Sequence, residues 1–181
     1  MENELRLVMI QTMLHCARVA EIASMLAESM NGTKDISVNK VRQLSYLHDI
    51  GKIMLDPKIL NKKGKLNRAD WTEIRKHPVY SHDILKSSGF SEEECLIVRS
   101  HHEKQDGSGY PCGYCNIAKI PVESQIIAVA DIFDALTSER EYRHRVYSSS
   151  EALWIMKQDP GLNQSIVSIL EGMLKTGELT A

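Results

Sequence analysis

Cysteine is scarce in this chain: Cys16, Cys95, Cys112 and Cys115 are the only four in 181 residues. That is too few for a disulfide scaffold, and they read as free thiols in a reducing compartment. No stretch approaches the roughly 18 consecutive apolar residues of a membrane-spanning helix. The opening MENELRLVMI carries acidic residues where a secretory leader needs a positive flank. A cytoplasmic protein without membrane insertion is expected. Neither charge dominates, with 22 Lys and Arg against 24 Asp and Glu, so there is no electrostatic case for a nucleic-acid polymer as partner, while a small anionic ligand stays admissible. Repeats, low-complexity runs and Pro/Ser-rich linkers are also absent. What is present is 43% hydrophobic residues, enough for one well-buried core, and a length that fits a single domain over residues 1–181.

The apolar pattern is helical. Val8, Thr12, His15, Val19, Ile22 and Leu26 recur at three- and four-residue steps, predicting a helix from Glu4 to about Met30 with His15 facing inward. A second helix, about Val38 to Ile50, places Val41, Leu44 and His48 on one stripe and stops at Gly51. Asn67 with Asp70 caps a helix reaching Lys76. Pro78 then biases His77 away from helical angles, setting it at a joint before a helix closed by Ser88-Gly89. Ser91 and Glu94 form a capping box for a helix that brings His101 and His102 to its end. Pro121 starts a long helix in which Ile127, Asp131, Asp134 and Ser138 share a seam. Ser148 with Glu151 opens another, and a final helix carries Ile166, Ile169, Leu170 and Leu174. Nothing reads as a strand, so the expected fold is an all-α bundle of about seven to eight helices. Its functional core would span about residues 11–145, with C-terminal helices over about 148–176.

Several polar residues ride inward on these helices: His15, His48-Asp49, His77, His101-His102 and Asp131. One histidine on an apolar face is more often a hydrogen-bonded core residue than a ligand. Burying five imidazoles with two or three carboxylates is different, because it is costly unless cations neutralise them together. Imidazole with carboxylate suits iron, manganese or zinc rather than a sulfur-bound site. Two ions about 3.5–4 Å apart would hold a hydroxide between them as a nucleophile for phosphoester hydrolysis. Lys52 lies within reach of a phosphate oxygen, although alone it reads as a solvated helix-end lysine. Tyr110, in the Gly107-Ser108-Gly109-Tyr110-Pro111 loop, could lie across a substrate base, and Arg140 and Arg143 could clamp phosphate. Cys112-Gly-Tyr-Cys115 has no second CxxC and reads as two loop thiols.

These residues resemble the HD-GYP branch of the HD phosphohydrolase superfamily. His48-Asp49-Ile50-Gly51-Lys52 is similar to its HD-x-G-K motif, and His101-His102-Glu103 through Asp106-Gly107-Ser108-Gly109-Tyr110-Pro111 to its HHE-x-x-DG-x-GYP signature. Ala128 to Ser138 followed by Arg140 resembles the AVAD-x-[FY]-DALTS-x-R segment, and His15 to Val19 the H-x-x-RV motif. The resemblance implies an all-helical HD domain that hydrolyses cyclic di-GMP to pGpG, or on to GMP. It implies His15, His48, Asp49, His77, His101, His102 and Asp131 as metal ligands, with Asp49 bridging. Lys52 would bind phosphate and assist attack, while Tyr110 and Arg140 would face the substrate.

Three departures stand out. Members with a third metal carry glutamate one turn before the first histidine, where this chain has Gln11, so two divalent or trivalent ions per chain are expected, iron or manganese first, with zinc or magnesium also fitting. Ser81 stands where glycine is usual after the His-Pro pair, and Glu141 sets a negative charge where an anionic dinucleotide would approach. Two other readings stand beside the phosphodiesterase: a hydrolase of another nucleotide or cyclic dinucleotide, and a weakened domain that regulates by binding a messenger or partner protein. Fused signalling modules, common in the family, would belong to a longer or related chain.

Overall fold

The structure is a computed structural model that describes residues 2–30, 36–62, 64–113, 120–139 and 145–179. Among these there is no strand. The helices are α1 (Glu2–Met30), α2 (Val38–Leu47), α3 (Pro57–Leu60), α4 (Arg68–Ile74), α5 (His77–Ser87), α6 (Glu92–Arg99), α7 (Val122–Thr137), α8 (Ser149–Lys157) and α9 (Gln164–Thr176), with a 3-10 turn over Ile50–Met54. Of the described helices, the eight other than α3 are seven residues or longer, in line with the expected all-α bundle.

Helix α1 is the organising element. Val19, Ala20, Ala23, Leu26 and Ala27 are fully buried, and small residues among them let α2 and α7 approach from two sides. Because α1 lies between two partners, consecutive residues of it can both face inward, and His15 and Cys16 do so. The far side of α7 is covered by α8 and α9, whose Met156, Ile166 and Leu170 join Phe133, Ile126 and Ile127 in one hydrophobic cluster. Capping boxes start α4 (Asn67, Asp70), α6 (Ser91, Glu94) and α8 (Ser148, Glu151), as the sequence predicts.

Three helix ends differ from expectation, each beside a histidine. Helix α2 stops at Leu47 instead of Ile50. The last carbonyls of a helix lack backbone partners, and here the Nδ1–H of His48 donates to the Ser45 carbonyl at 2.7 Å while the Ser81 hydroxyl donates to that of His48 at 2.8 Å. His77 is helical, the first residue of α5. The usual bias before proline is overridden because Pro78 sits where no N–H is needed and the His77 ring bonds back to the Ile74 carbonyl at 2.7 Å. Helix α6 ends at Arg99, so His101 and His102 lie in the turn beyond it, with His101 Nδ1 donating to the Val98 carbonyl at 2.5 Å.

Two glycines are required by close approach. A Cβ on Gly51 would fall 2.2 Å from the His77 carbonyl oxygen, and one on Gly109 would fall 2.4 Å from the Lys104 nitrogen. The loop after His102 is held from inside. Tyr110 N–H donates to the His102 carbonyl, and Cys112 and Gly113 N–H both donate to the buried Glu103 carboxylate at 2.6 and 2.9 Å. Lys104 pairs with Asp159 at 2.6 Å, tying this loop to the segment between α8 and α9.

Candidate metal centre

The seven residues His15, His48, Asp49, His77, His101, His102 and Asp131 converge on one seam between α1, α7 and the ends of α2, α4 and α6. Asp49 stands in the middle. Its Oδ1 is 3.2 Å from His77 Nε2, while its Oδ2 is 3.4 Å from His48 Nε2 and 3.7 Å from His15 Nε2. On one side, ligand atoms of His77, His101 and His102 lie within 4.8 Å of one another; on the other, those of His15, His48 and Asp131 do the same. His15 Nε2 is 3.0 Å from Asp131 Oδ1, and Asp131 Oδ2 reaches to 4.0 Å from His102 Nδ1.

The tautomers follow from the hydrogen bonds. A carbonyl oxygen only accepts, so His48, His77 and His101, each facing one with Nδ1, carry their proton there and leave a lone pair on Nε2. Those lone pairs meet other acceptors: His77 Nε2 lies 3.3 Å from His101 Nε2, and the Asp49 carboxylate faces the imidazoles. His48 Nε2 and Asp49 Oδ1 are buried with no hydrogen-bond partner. Acceptor set against acceptor in a dry interior is unfavourable unless a cation lies between them, so these residues fit metal ions.

For His77, His101 and His102 the electrostatics agree. Burial lowers His77 to about 4 and His102 to about 3, and holds His101 well below its ordinary range, so all three are neutral near pH 7 and in the form that ligates. His48 differs: the Asp49 carboxylate outweighs burial and holds it up, so without an ion this ring favours its protonated form, and a cation beside Asp49 would displace that proton. Burial alone would raise Asp49, but the Lys52 ammonium and His48 outweigh it and keep the carboxylate charged; Asp131 is kept low against burial by His15.

Two of the residues expected to meet substrate, Lys52 and Tyr110, lie around this seam. Lys52 Nζ bonds to Asp49 Oδ2. Tyr110 lies with its ring 4.7 Å from that of His102, and burial raises its phenol, which stays protonated. Tyr110, His102, Arg75 and Lys104 border a cavity of about 180 Å³. Arg140, Arg143, Glu141 and Cys115 lie outside the described residues. Gln11, one turn before His15, is exposed. Cys16, Cys95 and Cys112 are free thiols.

The sequence places Asp134 on the seam without giving it a role, and it does not reveal the other supports. Asp134 accepts from His15 Nδ1 at 2.6 Å and from Arg18 Nε at 2.5 Å, and is held at about 2 because these bonds outweigh burial. Its place three residues after Asp131 was the available signal. Arg75 lies 5.2 Å over the Tyr110 ring, which no periodicity announces. Ser81, the departure from glycine, accepts from Gly51 N–H at 2.8 Å and donates to the His48 carbonyl, bracing the His48-Asp49 turn against α5.

Residues 6–162 match the HD domain family. Over 128 residues the chain is 39% identical to RpfG, a cyclic di-GMP phosphodiesterase response regulator of Xanthomonas campestris, covering 70% of this chain and 33% of that protein. Over 145 residues it is 37% identical to 3'3'-cGAMP-specific phosphodiesterase 3 of Vibrio cholerae, covering 80% of this chain and 31% of that protein. Its fold is similar to that of an HDG"Y"P protein from Bdellovibrio bacteriovorus, with a TM-score of 0.72, 18% identity and coverage of 91% of this chain and 52% of that one. The chain spans about a third of the length of the curated relatives it matches. It belongs to the HD domain family. Within that family it is of the HD-GYP type, carrying His48-Asp49, His101-His102 and Gly109-Tyr110-Pro111 in one site. No described helix is long and apolar enough to cross a membrane.

Proposed function

We propose that this chain is a metal-dependent phosphodiesterase acting on a cyclic dinucleotide, with cyclic di-GMP as its first substrate. The observation that carries the reading is Asp49, whose two oxygens face two separate ligand groups. This suits a carboxylate shared by two ions. His77, His101 and His102 would hold one, His15, His48 and Asp131 the other, with iron or manganese favoured by the donor set. Bound ions would activate water and neutralise charge on the phosphate.

The chain's own residues do the rest. Lys52 exchanges its Asp49 partner for a phosphate oxygen when cations take over that carboxylate. Tyr110, protonated and packed on His102, offers a face for a base and a hydroxyl donor. Arg140 and Arg143 clamp phosphate, an assignment supported by the motif alone. The named activities of the relatives favour two guanine-containing substrates, cyclic di-GMP and 3'3'-cGAMP. The test is to load the protein with Fe²⁺ or Mn²⁺ without oxygen, incubate it with each dinucleotide and resolve products by chromatography. Linear product from cyclic di-GMP is expected; none from either at any loading overturns the proposal. Metal analysis should give about two ions per chain, and about three would contradict the expectation drawn from Gln11.

A further inference from the structure

Among the described residues Cys16 is the one buried thiol at the metal centre, and neither the HD-GYP motifs nor the seven-residue ligand set gives it a role. It is 4% exposed and follows His15 directly on α1. Where His15 turns toward Asp131 and Asp134 on α7, Cys16 lies on the side of α2. Its Sγ, a ring nitrogen of His48 and a carboxylate oxygen of Asp49 all lie within 4.8 Å of one another. A thiol in an apolar interior needs no such company. Of the groups it meets, His48 carries a buried ring nitrogen, Nε2, that lacks a hydrogen-bond partner, which points to a shared ligand and not to packing. A ring nitrogen, a carboxylate oxygen and a sulfur at these separations close onto one ion with small side-chain movements.

We infer that Cys16 is a sulfur ligand to the ion held by His48 and Asp49, making this half of the centre a mixed sulfur, nitrogen and oxygen site that favours zinc or ferrous iron over manganese and magnesium. The inference rests on the proposed metal centre and goes beyond it by naming a donor outside the family's histidine and aspartate set. On binding, the sulfur–metal bond forms and the thiol proton leaves to solvent. Softness sets the preference, because thiolate discriminates among divalent ions where carboxylate does not.

Cobalt(II) tests this. Cys112 and Cys115 are first replaced by serine to remove the loop thiols, and the metal-free protein is titrated with Co²⁺ while its absorption spectrum is recorded. Visible ligand-field bands report binding by the histidine and carboxylate cage. An intense near-ultraviolet sulfur-to-cobalt charge-transfer band reports Cys16. Both are expected, and Cys16→Ser should abolish the second while keeping the first; Cys95→Ser should change neither. Ligand-field bands without the charge-transfer band overturn the assignment of Cys16 and leave the metal centre standing, whereas absence of both overturns the centre. Should Cys16→Ser fail to fold, X-ray absorption on the zinc-loaded double variant decides: a sulfur scatterer at about 2.3 Å supports the ligand, and a shell of nitrogen and oxygen alone refutes it.

Discussion

Replacing Asp134 with asparagine should weaken metal binding while leaving the fold in place. Asp134 is not itself set to ligate: one oxygen takes the His15 Nδ1 proton at 2.6 Å and the other takes Arg18 Nε at 2.5 Å. His15 is thereby gripped from both ends by α7, with Asp131 at its Nε2 and Asp134 at its Nδ1. The carboxylate fixes the ring's tautomer, placing the proton on Nδ1 and turning the Nε2 lone pair toward Asp131 and the site. Asparagine keeps the shape and an acceptor but removes the charge, and it turns an NH₂ toward Arg18 or His15. Loss of such a partner costs about 10- to 100-fold in metal affinity, or ~1.4 to ~2.7 kcal/mol. The fold should be little affected, because the Arg18 side chain is 46% exposed and can turn to water. Chelator-competition titration with Mn²⁺ measures the affinity, and urea melts of the metal-free protein measure the fold. An affinity within about twofold of the parent, or a loss explained by unfolding, would refute the role assigned to Asp134.

Three further outcomes follow. In the absence of metal, Lys52 is bonded to the carboxylate that cations need, so Lys52→Met should tighten Mn²⁺ binding while lowering kcat. Weaker binding would show that Lys52 does not compete. Ser81→Ala strips a partner from both Gly51 N–H and the His48 carbonyl and should cost about 1–3 kcal/mol in urea melts, with an unchanged midpoint counting against the brace. His77 is held at about 4 against an ordinary 6.5, so the unfolded chain binds this proton first as pH falls. Stability of the metal-free protein should therefore decline below about pH 6.5 and level off below about pH 4, with ~2 kcal/mol lost to this group by pH 5. Melts that superimpose at pH 7.5 and pH 5 would contradict the buried, neutral assignment.

The elements legible in the sequence were those governed by local chemistry. The α1 periodicity announced its buried face, and three Ser/Asn-to-Glu/Asp capping pairs announced the starts of α4, α6 and α8. The histidines and acids stood out because their number exceeds what a core tolerates without a counter-charge. Helix ends at His48, His77 and His101 were misjudged, since each is set by a side-chain bond to the main chain and by packing against α5, neither of which has a period. Arg75 over Tyr110 and Glu103 beneath Cys112 and Gly113 are contacts through space that spacing along the chain does not encode. Ser81 departs from the motif, and what it does there depends on two partners 30 and 33 residues away, a separation that no local pattern encodes.

The three ring-to-carbonyl bonds at His48, His77 and His101 each use the carbonyl three residues upstream, in Ser45, Ile74 and Val98, all in the closing turn of a helix. The unsatisfied end of each coil thus becomes the clamp that aims an imidazole. Because that clamp is peptide backbone, it is indifferent to what side chain its residue bears, and lineages can redecorate the neighbourhood without turning a donor atom away. What such a cage does depend on is where its helices stop, so a shift of one residue in a terminus would do more harm than many exchanges around it.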